Sequence, residues 1–244
     1  MVLGMVDQLD VEMGLDWISN NTFLVFDLET TGIDVTTDLP VSYAIMTMNQ
    51  NSCIFEGYSL VNPGVEIPQE ASRIHGISTE RARESGLDLQ VAIKLIVDAL
   101  LRASNLGWFV VGMNVSFDLS IIDARARAIY GVGLNELGFN APVLDILILD
   151  RHFDPYRSGR RTLEALCNFY GVAKGTLHNA LEDCKVTYKV LGALVGKYRQ
   201  ITEIAPEALT GVQEEFYQSW VFKYNKWATA NHKDEIQVKE WPIS

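Results

Sequence analysis

The stretch Thr22-Phe23-Leu24-Val25-Phe26-Asp27-Leu28-Glu29-Thr30-Thr31-Gly32 decides how this chain folds. Thr22 to Leu28 is apolar and rich in residues that suit a pleated strand, so it reads as a buried strand. The strand runs straight into two acids. Side chains at i and i+2 of a strand point to one face, so Asp27 and Glu29 stand side by side. Two buried carboxylates so placed repel each other, and one keeps its proton unless a cation removes the conflict. Hard oxygen ligands suit Mg²⁺ or Mn²⁺. Taken alone, a D-x-E pair is more often a strand end with two solvated acids. The Thr30-Thr31-Gly32 turn adds backbone N–H groups that a phosphate or nucleotide would accept.

Outward from this strand, Val41–Met48 and Cys53–Val61 read as two more strands, joined by the polar turn Asn49-Gln50-Asn51-Ser52. Asn62-Pro63-Gly64 ends the meander. Leu89, Ile93, Ile96, Val97, Leu100 and Leu101 fall on one helical face. Trp108–Met113 reads as a fourth strand, and Asn114 as the N-cap of a helix running to about Tyr130. Val143–Leu149 reads as a fifth strand, followed by helices near 161–170 and 179–198. A meander followed by alternating strands and helices predicts an α/β fold with a five-stranded mixed sheet flanked by helices.

Residues 1–21 read as a leader, with a short helix over 5–18, and residues 22–200 as the main domain. Residues 201–244 form an extension. In it, Pro206 precedes one long helix whose face carries Val212, Phe216, Trp220, Val221, Tyr224 and Trp227. That face is expected to pack on the core, with a dimer interface or polymerase-docking surface as the alternative. The end, Asn231 to Ser244, is polar and expected to be extended.

The chain has 244 residues and is 48% hydrophobic, enough for one sizeable core. Its net charge of −11 argues against a tight, sequence-independent grip on long duplex. It remains compatible with an enzyme that gathers carboxylates around cations. The three cysteines, Cys53, Cys167 and Cys184, are widely spaced and form no CxxC pair, which disfavours a disulfide framework or a zinc site. A reducing cytoplasm is the expected location. The first twenty residues hold acids and no Lys or Arg, unlike a signal peptide. No apolar run approaches the ~20 residues of a membrane span.

Two further segments carry chemistry. Gly112-Met113-Asn114-Val115-Ser116-Phe117-Asp118 sits at a strand-to-helix junction and puts Asp118 in the first helical turn. His178-Asn179-Ala180-Leu181-Glu182-Asp183 opens a helix, with Asp183 one turn in. Each has a bland reading by itself: a capped helix, or a surface histidine. Together the three segments bring four carboxylates and one histidine to ends of elements, a complete set for two-metal phosphodiester hydrolysis.

These segments resemble the three motifs of the DnaQ-like, DEDDh-type 3′→5′ exonuclease family, whose fold is ribonuclease H-like. The exonuclease domain of the DNA polymerase III epsilon subunit is a member of it. The His set five residues before the last Asp, rather than a Tyr four before it, resembles the DEDDh branch. The resemblance covers residues 22–198. Ser72-Arg73-Ile74-His75-Gly76-Ile77-Ser78 and Arg160-Arg161-Thr162-Leu163-Glu164-Ala165-Leu166-Cys167 look like further family segments. Many members have His-Asn where this chain has Met113-Asn114. The layout of one nuclease domain plus a short aromatic tail looks like stand-alone members from actinobacteria and their phages.

The resemblance implies that Asp27, Glu29, Asp118 and Asp183 hold two divalent ions, Mg²⁺ or Mn²⁺, and that His178 is the general base. Asp27 would bridge both ions. It also implies contacts to the terminal nucleotides from Leu28, Thr30, Thr31, Gly32, His75, Ile77, Asn114 and Phe117, with Ile33 a further wedge. For Ile33 and Ile77, packing in the core is an equal alternative. Arg151, Arg157, Arg160 and Arg161 form the densest basic cluster, either a phosphate-tracking rim or a solvated loop. The implied substrate is a single-stranded or frayed 3′ end of DNA, with RNA as the alternative. A DNA polymerase is a candidate partner, and the chain is a monomer or homodimer. A ribonuclease H-like endonuclease or strand transferase, and an inactive binding module, are the competing classes.

Overall fold

The computed structural model describes residues 16–173 and 179–244. Its centre is the predicted strand, β1 (Thr22–Thr30), which pairs antiparallel with β2 (Pro40–Asn49). β3 (Ser52–Asn62) pairs antiparallel with β2. The turn between them places Gln50 and Asn51 in the left-handed region, at φ 48° and 59°, as a tight twisted hairpin requires. On its other side β1 runs parallel to β5 (Phe109–Gly112), and β5 parallel to β6 (Val143–Asp145). A two-residue strand, β4 (Leu87–Asp88), adds to the far edge, parallel to β3. The sheet order is β4-β3-β2-β1-β5-β6, so the sheet is mixed as expected but has six strands rather than five.

The helices are α1 (residues 16–20), α2 (Gln69–His75), α3 (Thr79–Ser85), α4 (Leu89–Leu106), α5 (Val115–Tyr130), α6 (Leu134–Leu137), α7 (Ile146–Phe153), α8 (Leu163–Tyr170), α9 (Ala180–Lys197) and α10 (Pro206–Ala230). A 3-10 turn spans Arg199–Glu203. Alternation along β1 divides the core into two layers. Leu24, Phe26 and Leu28 face Ile93, Ile96 and Leu100 of α4 and Leu119 and Ile122 of α5. Phe23 and Val25 face Val190, Leu191 and Leu194 of α9. Full burial of one such side chain is worth about 1.5–3 kcal/mol, so both faces are strongly specified. Asp27 and Glu29 continue the α9-side row, where the chain runs out of apolar residues. Residues 16–21, expected in a leader, join this layer: Ile18 is buried, and the Trp17 ring packs 5.5 Å from Phe23 and 5.2 Å from Phe109. Among the described residues no helix is long and apolar enough to cross a membrane.

Two expectations are corrected. Val143–Leu149 is not one strand: it pairs only to Asp145, whose carboxylate then accepts from the Leu147 and Ile148 N–H groups and starts α7. Between β3 and β4 lie the short helices α2 and α3. Gly76 in the left-handed region ends the first, and Ser78 accepts from the Arg81 N–H to begin the second. The C-terminal tail is not simply extended. Trp241 is buried in the core, and the Ser244 N–H donates to Ser120 Oγ.

The long C-terminal helix completes the sheet edge. Thr210 Oγ1 accepts from the Val143 N–H, and Gln213 accepts from the Asp145 N–H while donating to the Val143 carbonyl. Side chains of α10 thus take the place of a neighbouring strand along β6, satisfying groups that would otherwise be open.

Candidate active site

The parallel strands β1, β5 and β6 end on the same edge, and the functional acids gather there, where open α/β sheets place their ligand sites. Asp27 and Glu29 leave the end of β1. Asp183 comes from the first turn of α9, which Asn179 caps by accepting from the Leu181 and Glu182 N–H groups. Carboxylate oxygens of Asp27, Glu29 and Asp183 all lie within 4.8 Å of one another. Asp118, buried in the first turn of α5, accepts from the Leu28 N–H at 3.0 Å and so is tied to the middle of the D-x-E segment.

The junction that delivers Asp118 is tight. An added Cβ at Gly112 would stand 2.7 Å from Val115 Cβ and 3.1 Å from the Phe26 carbonyl, so only glycine lets α5 approach β1. Asn114 sits in the left-handed region at φ 63°, and its side chain makes no capping bond. Asn114 thus stands at the expected N-cap position of α5, but without a side-chain cap. What matters at Asn114 is its backbone, whose N–H donates to Asp145 Oδ1 at 3.0 Å. Non-glycine residues in this region carry roughly 1–3 kcal/mol of strain, and asparagine tolerates it better than most.

Asp145 is the residue that motif reading missed. It is fully buried, bonds the N–H groups of Asn114, Leu147 and Ile148 through Oδ1, and leaves Oδ2 without a partner. Its signal was present in the sequence as an acid interrupting an apolar run, Val143-Leu144-Asp145-Ile146-Leu147.

The electrostatics are those of anions held together without compensation. Burial, then the charges of Asp118, Asp183 and Glu29, push the Asp27 carboxyl well above its usual range. Burial and Asp183 raise Glu29 to about 7. Burial raises Asp118 as well, against the hydrogen bond from Leu28. Asp145 rises to about 6, chiefly by burial, with its hydrogen bonds and the Arg151 charge opposing. Cys184 beside this cluster is also raised by burial and by Asp27, which keeps it a neutral thiol. Clustered hard oxygens that must either keep protons or take up a cation fit a divalent metal, and the donor set suits Mg²⁺ or Mn²⁺.

The remaining expected residues divide. His178 lies outside the described residues. Phe117 is partly buried against the core. His75 is near the end of β1: its Nδ1 accepts from the Ile77 N–H, its Nε2 is buried without a hydrogen-bond partner, and burial lowers its pKa against the opposing Thr30 backbone. Thr30 Oγ1 donates to the Gly32 carbonyl. The Thr31 N–H is taken by the Leu39 carbonyl, and its hydroxyl by Asp38, so Thr31 offers nothing to a phosphate. A Cβ at Gly32 would meet the Asp38 carboxylate at 2.5 Å, so the Asp38 side chain would have to shift. The side chains of Leu28 and Ile77 are buried in apolar clusters, which for Ile77 is the core-packing alternative. Ile33 is 90% exposed.

The basic cluster also divides. Arg157 and Arg161 are spent on Asp150, which is fully buried and accepts from Tyr170 as well. Arg160 lies at the surface, in a cleft that also contains Asp183. Arg151 lies over the Trp220 ring.

The model of the RNase T-type exonuclease family, described as Exonuclease, matches residues 24–191. The DNA polymerase III PolC-type protein of Caldanaerobacter subterraneus is 27% identical over 180 residues, 73% of this chain and 12% of that protein. The DNA polymerase III subunit epsilon of Rickettsia prowazekii is 27% identical over 180 residues, 71% of this chain and 73% of that protein. Among solved structures, E. coli Exonuclease I in complex with a dT13 oligonucleotide shares the fold at a TM-score of 0.65 and 16% identity, over 82% of this chain and 46% of that one. The chain thus spans only a small part of the PolC-type relatives and under half of Exonuclease I. The family match, residues 24–191, takes in Asp27, Glu29, Asp118 and Asp183; the chain belongs to the RNase T-type exonuclease family.

Proposed function

We propose that this chain is a two-metal-dependent 3′→5′ exonuclease that shortens single-stranded or frayed DNA ends and releases nucleoside 5′-monophosphates. One observation carries the reading: Asp27, Glu29 and Asp183 converge within 4.8 Å, with Asp118 bonded to the segment between the first two, in a chain of an exonuclease family. Divalent ions held by these residues would supply Lewis-acid stabilisation of the charge that builds on the phosphate.

The protein's own groups do the rest. Asp27, Glu29, Asp118 and Asp183 would hold the ions, Asp27 serving both, Glu29 and Asp183 one and Asp118 the other. His178, five residues before Asp183, takes the proton of the attacking water, a role suited to a group titrating near neutrality. Phe117, His75, Asn114 and the Thr30–Gly32 backbone border the position of the terminal nucleotide. DNA is the favoured substrate because the relatives are DNA polymerase III proteins and the structural neighbour holds a dT13 strand. The same relatives make a DNA polymerase the first partner to test. The chain acts in the cytoplasm, as a monomer or homodimer.

The deciding experiment is a product ladder from 3′- and 5′-labelled single-stranded DNA and matched RNA with Mg²⁺ or Mn²⁺. A 5′ label should yield a stepwise ladder, and a 3′ label should appear at once as mononucleotide. Asp27→Ala should abolish both while leaving the fold intact. Internal cleavage of circular single-stranded DNA would overturn the reading. Faster trimming of RNA would replace DNA as the substrate.

A further inference from the structure

The outer part of α10 carries chemistry that the core does not use. Phe216 packs as expected, stacked on His152 at 3.4 Å and in contact with both core layers. Beyond it, Tyr217, Trp220, Tyr224 and Trp227 form a row of rings at successive centroid distances of 6.4, 5.7 and 5.7 Å. Trp220, Tyr224 and Trp227 belong to neither core layer, and Trp227 is 51% exposed. This corrects the expectation that the whole aromatic face packs inward.

The rings border a cleft of about 290 Å³ with Arg151 and Lys223 on its wall. The Arg151 guanidinium sits 3.6 Å from the Trp220 ring centroid. No acid is among the described residues that line this cleft, in a chain whose net charge is −11. A second cleft of about 180 Å³ shares Arg151 as a wall with it, and is also lined by Tyr217, Ser116 and the candidate nucleotide contacts Asn114 and Phe117. This second cleft is of mixed charge, with Lys239 and Arg151 against Asp145 and Glu240. Trp241 also lines it, and its buried indole N–H has no hydrogen-bond partner among the described residues.

We infer that this row is a stacking track for the single-stranded polynucleotide on the 5′ side of the end being trimmed. The inference rests on the exonuclease reading for the strand's direction. Aromatic rings interleaved with cations hold single strands irrespective of sequence, because every base has a π-face and every residue a phosphate. Local charge complementarity, and the Arg151 wall shared with the cleft beside Asn114 and Phe117, favour a polyanionic strand over an apolar partner.

The test is strand binding in a chelator, where no cleavage occurs, read by anisotropy of labelled oligothymidylates. Lengths of about 4, 8 and 16 nucleotides bracket the site sizes of single-strand binders. The Tyr224→Ala/Trp227→Ala variant should lose roughly tenfold in affinity per ring removed on the longest strand, and far less on the shortest. Trp227→Phe should restore most of the loss. Lys223→Glu, at an exposed position that leaves the rings intact, should weaken binding and lower the salt slope by about 0.7.

Unchanged binding in these variants, or an equal loss at every length, would overturn the proposal. So would a wild-type dimer in sedimentation that the double variant converts to monomer with strand binding intact. If the wild type binds with the expected length dependence but cleaves no strand with Mg²⁺ or Mn²⁺, the exonuclease reading fails while the track stands.

Discussion

Removing one carboxylate from the cluster should stabilise the metal-free protein, and by an amount that depends on pH. Glu29 has an ordinary carboxyl pKa near 4.5 in the unfolded chain and about 7 in the folded one. The folded state therefore holds more protons than the unfolded state between those values, and its stability falls as pH rises through that window. Below about pH 4.5 the penalty is absent; above about pH 7 it is fully present. At about 1.36 kcal/mol per pKa unit, it amounts to about 3 kcal/mol. For a domain of this size that corresponds to roughly 6–12 °C in Tm. Asp27 and Asp118 are raised in the same direction and add to the effect. The assay is thermal unfolding of wild type and Glu29→Gln in a chelator across this range. The variant's advantage in Tm should be near zero at pH 4.5 and largest near pH 7.5. Adding Mn²⁺ should raise the wild type more than the variant, and more at the higher pH. A Glu29→Gln variant no more stable than wild type at pH 7.5 would refute the view that the site is a store of carboxylate repulsion.

Two further outcomes are expected. Asp150→Ala should cost about 3–5 kcal/mol in a denaturant melt, because it leaves the nearly buried Arg157 and Arg161 guanidiniums without their shared carboxylate; a loss under about 1 kcal/mol would mean that water readily replaces it. His178→Ala should lower turnover by about 10²–10⁴-fold with calorimetric Mn²⁺ affinity nearly unchanged, as loss of a general base does; a collapse of metal binding would make His178 a ligand instead.

How legible the molecule was depends on how local its signals are. β1 and its acids could be read directly, since an apolar run ending in D-x-E is a local pattern and the sheet pairs as that pattern requires. The start of α9 was legible too: a helix was expected over 179–198, and it begins at Ala180 with Asn179 as its cap. Asn114 was legible as the residue before α5, but its left-handed backbone was not, because the Asp145 carboxylate that accepts from its N–H is distant in sequence. Ile146 to Leu149 misled because four apolar residues in a row carry no period, so a buried strand and a buried helix look alike. Tertiary placement was least legible. Nothing local announces that Trp241 is buried, that Ile77 joins a small core with Val41 and Leu60, or that Gln213 stands in for a strand.

Those distant contacts link the extension to the catalytic edge. Gln213 of α10 accepts from the Asp145 N–H; Asp145 in turn accepts from the Asn114 N–H; Asn114 sets the start of α5; and Asp118 in its first turn holds the Leu28 N–H. Each link is buried or partly buried, and each fixes the backbone from which the next side chain projects. Mutually repelling carboxylates would spread apart on a yielding backbone, and the cluster would lose the density that makes it a cation site. A glycine-tight junction, a strained asparagine and a helix bonded to the sheet edge resist that spreading. On this argument α10 does more than cover apolar surface: it helps hold Asp118 against the repulsion of its neighbours, although it lies beyond the residues that match the family.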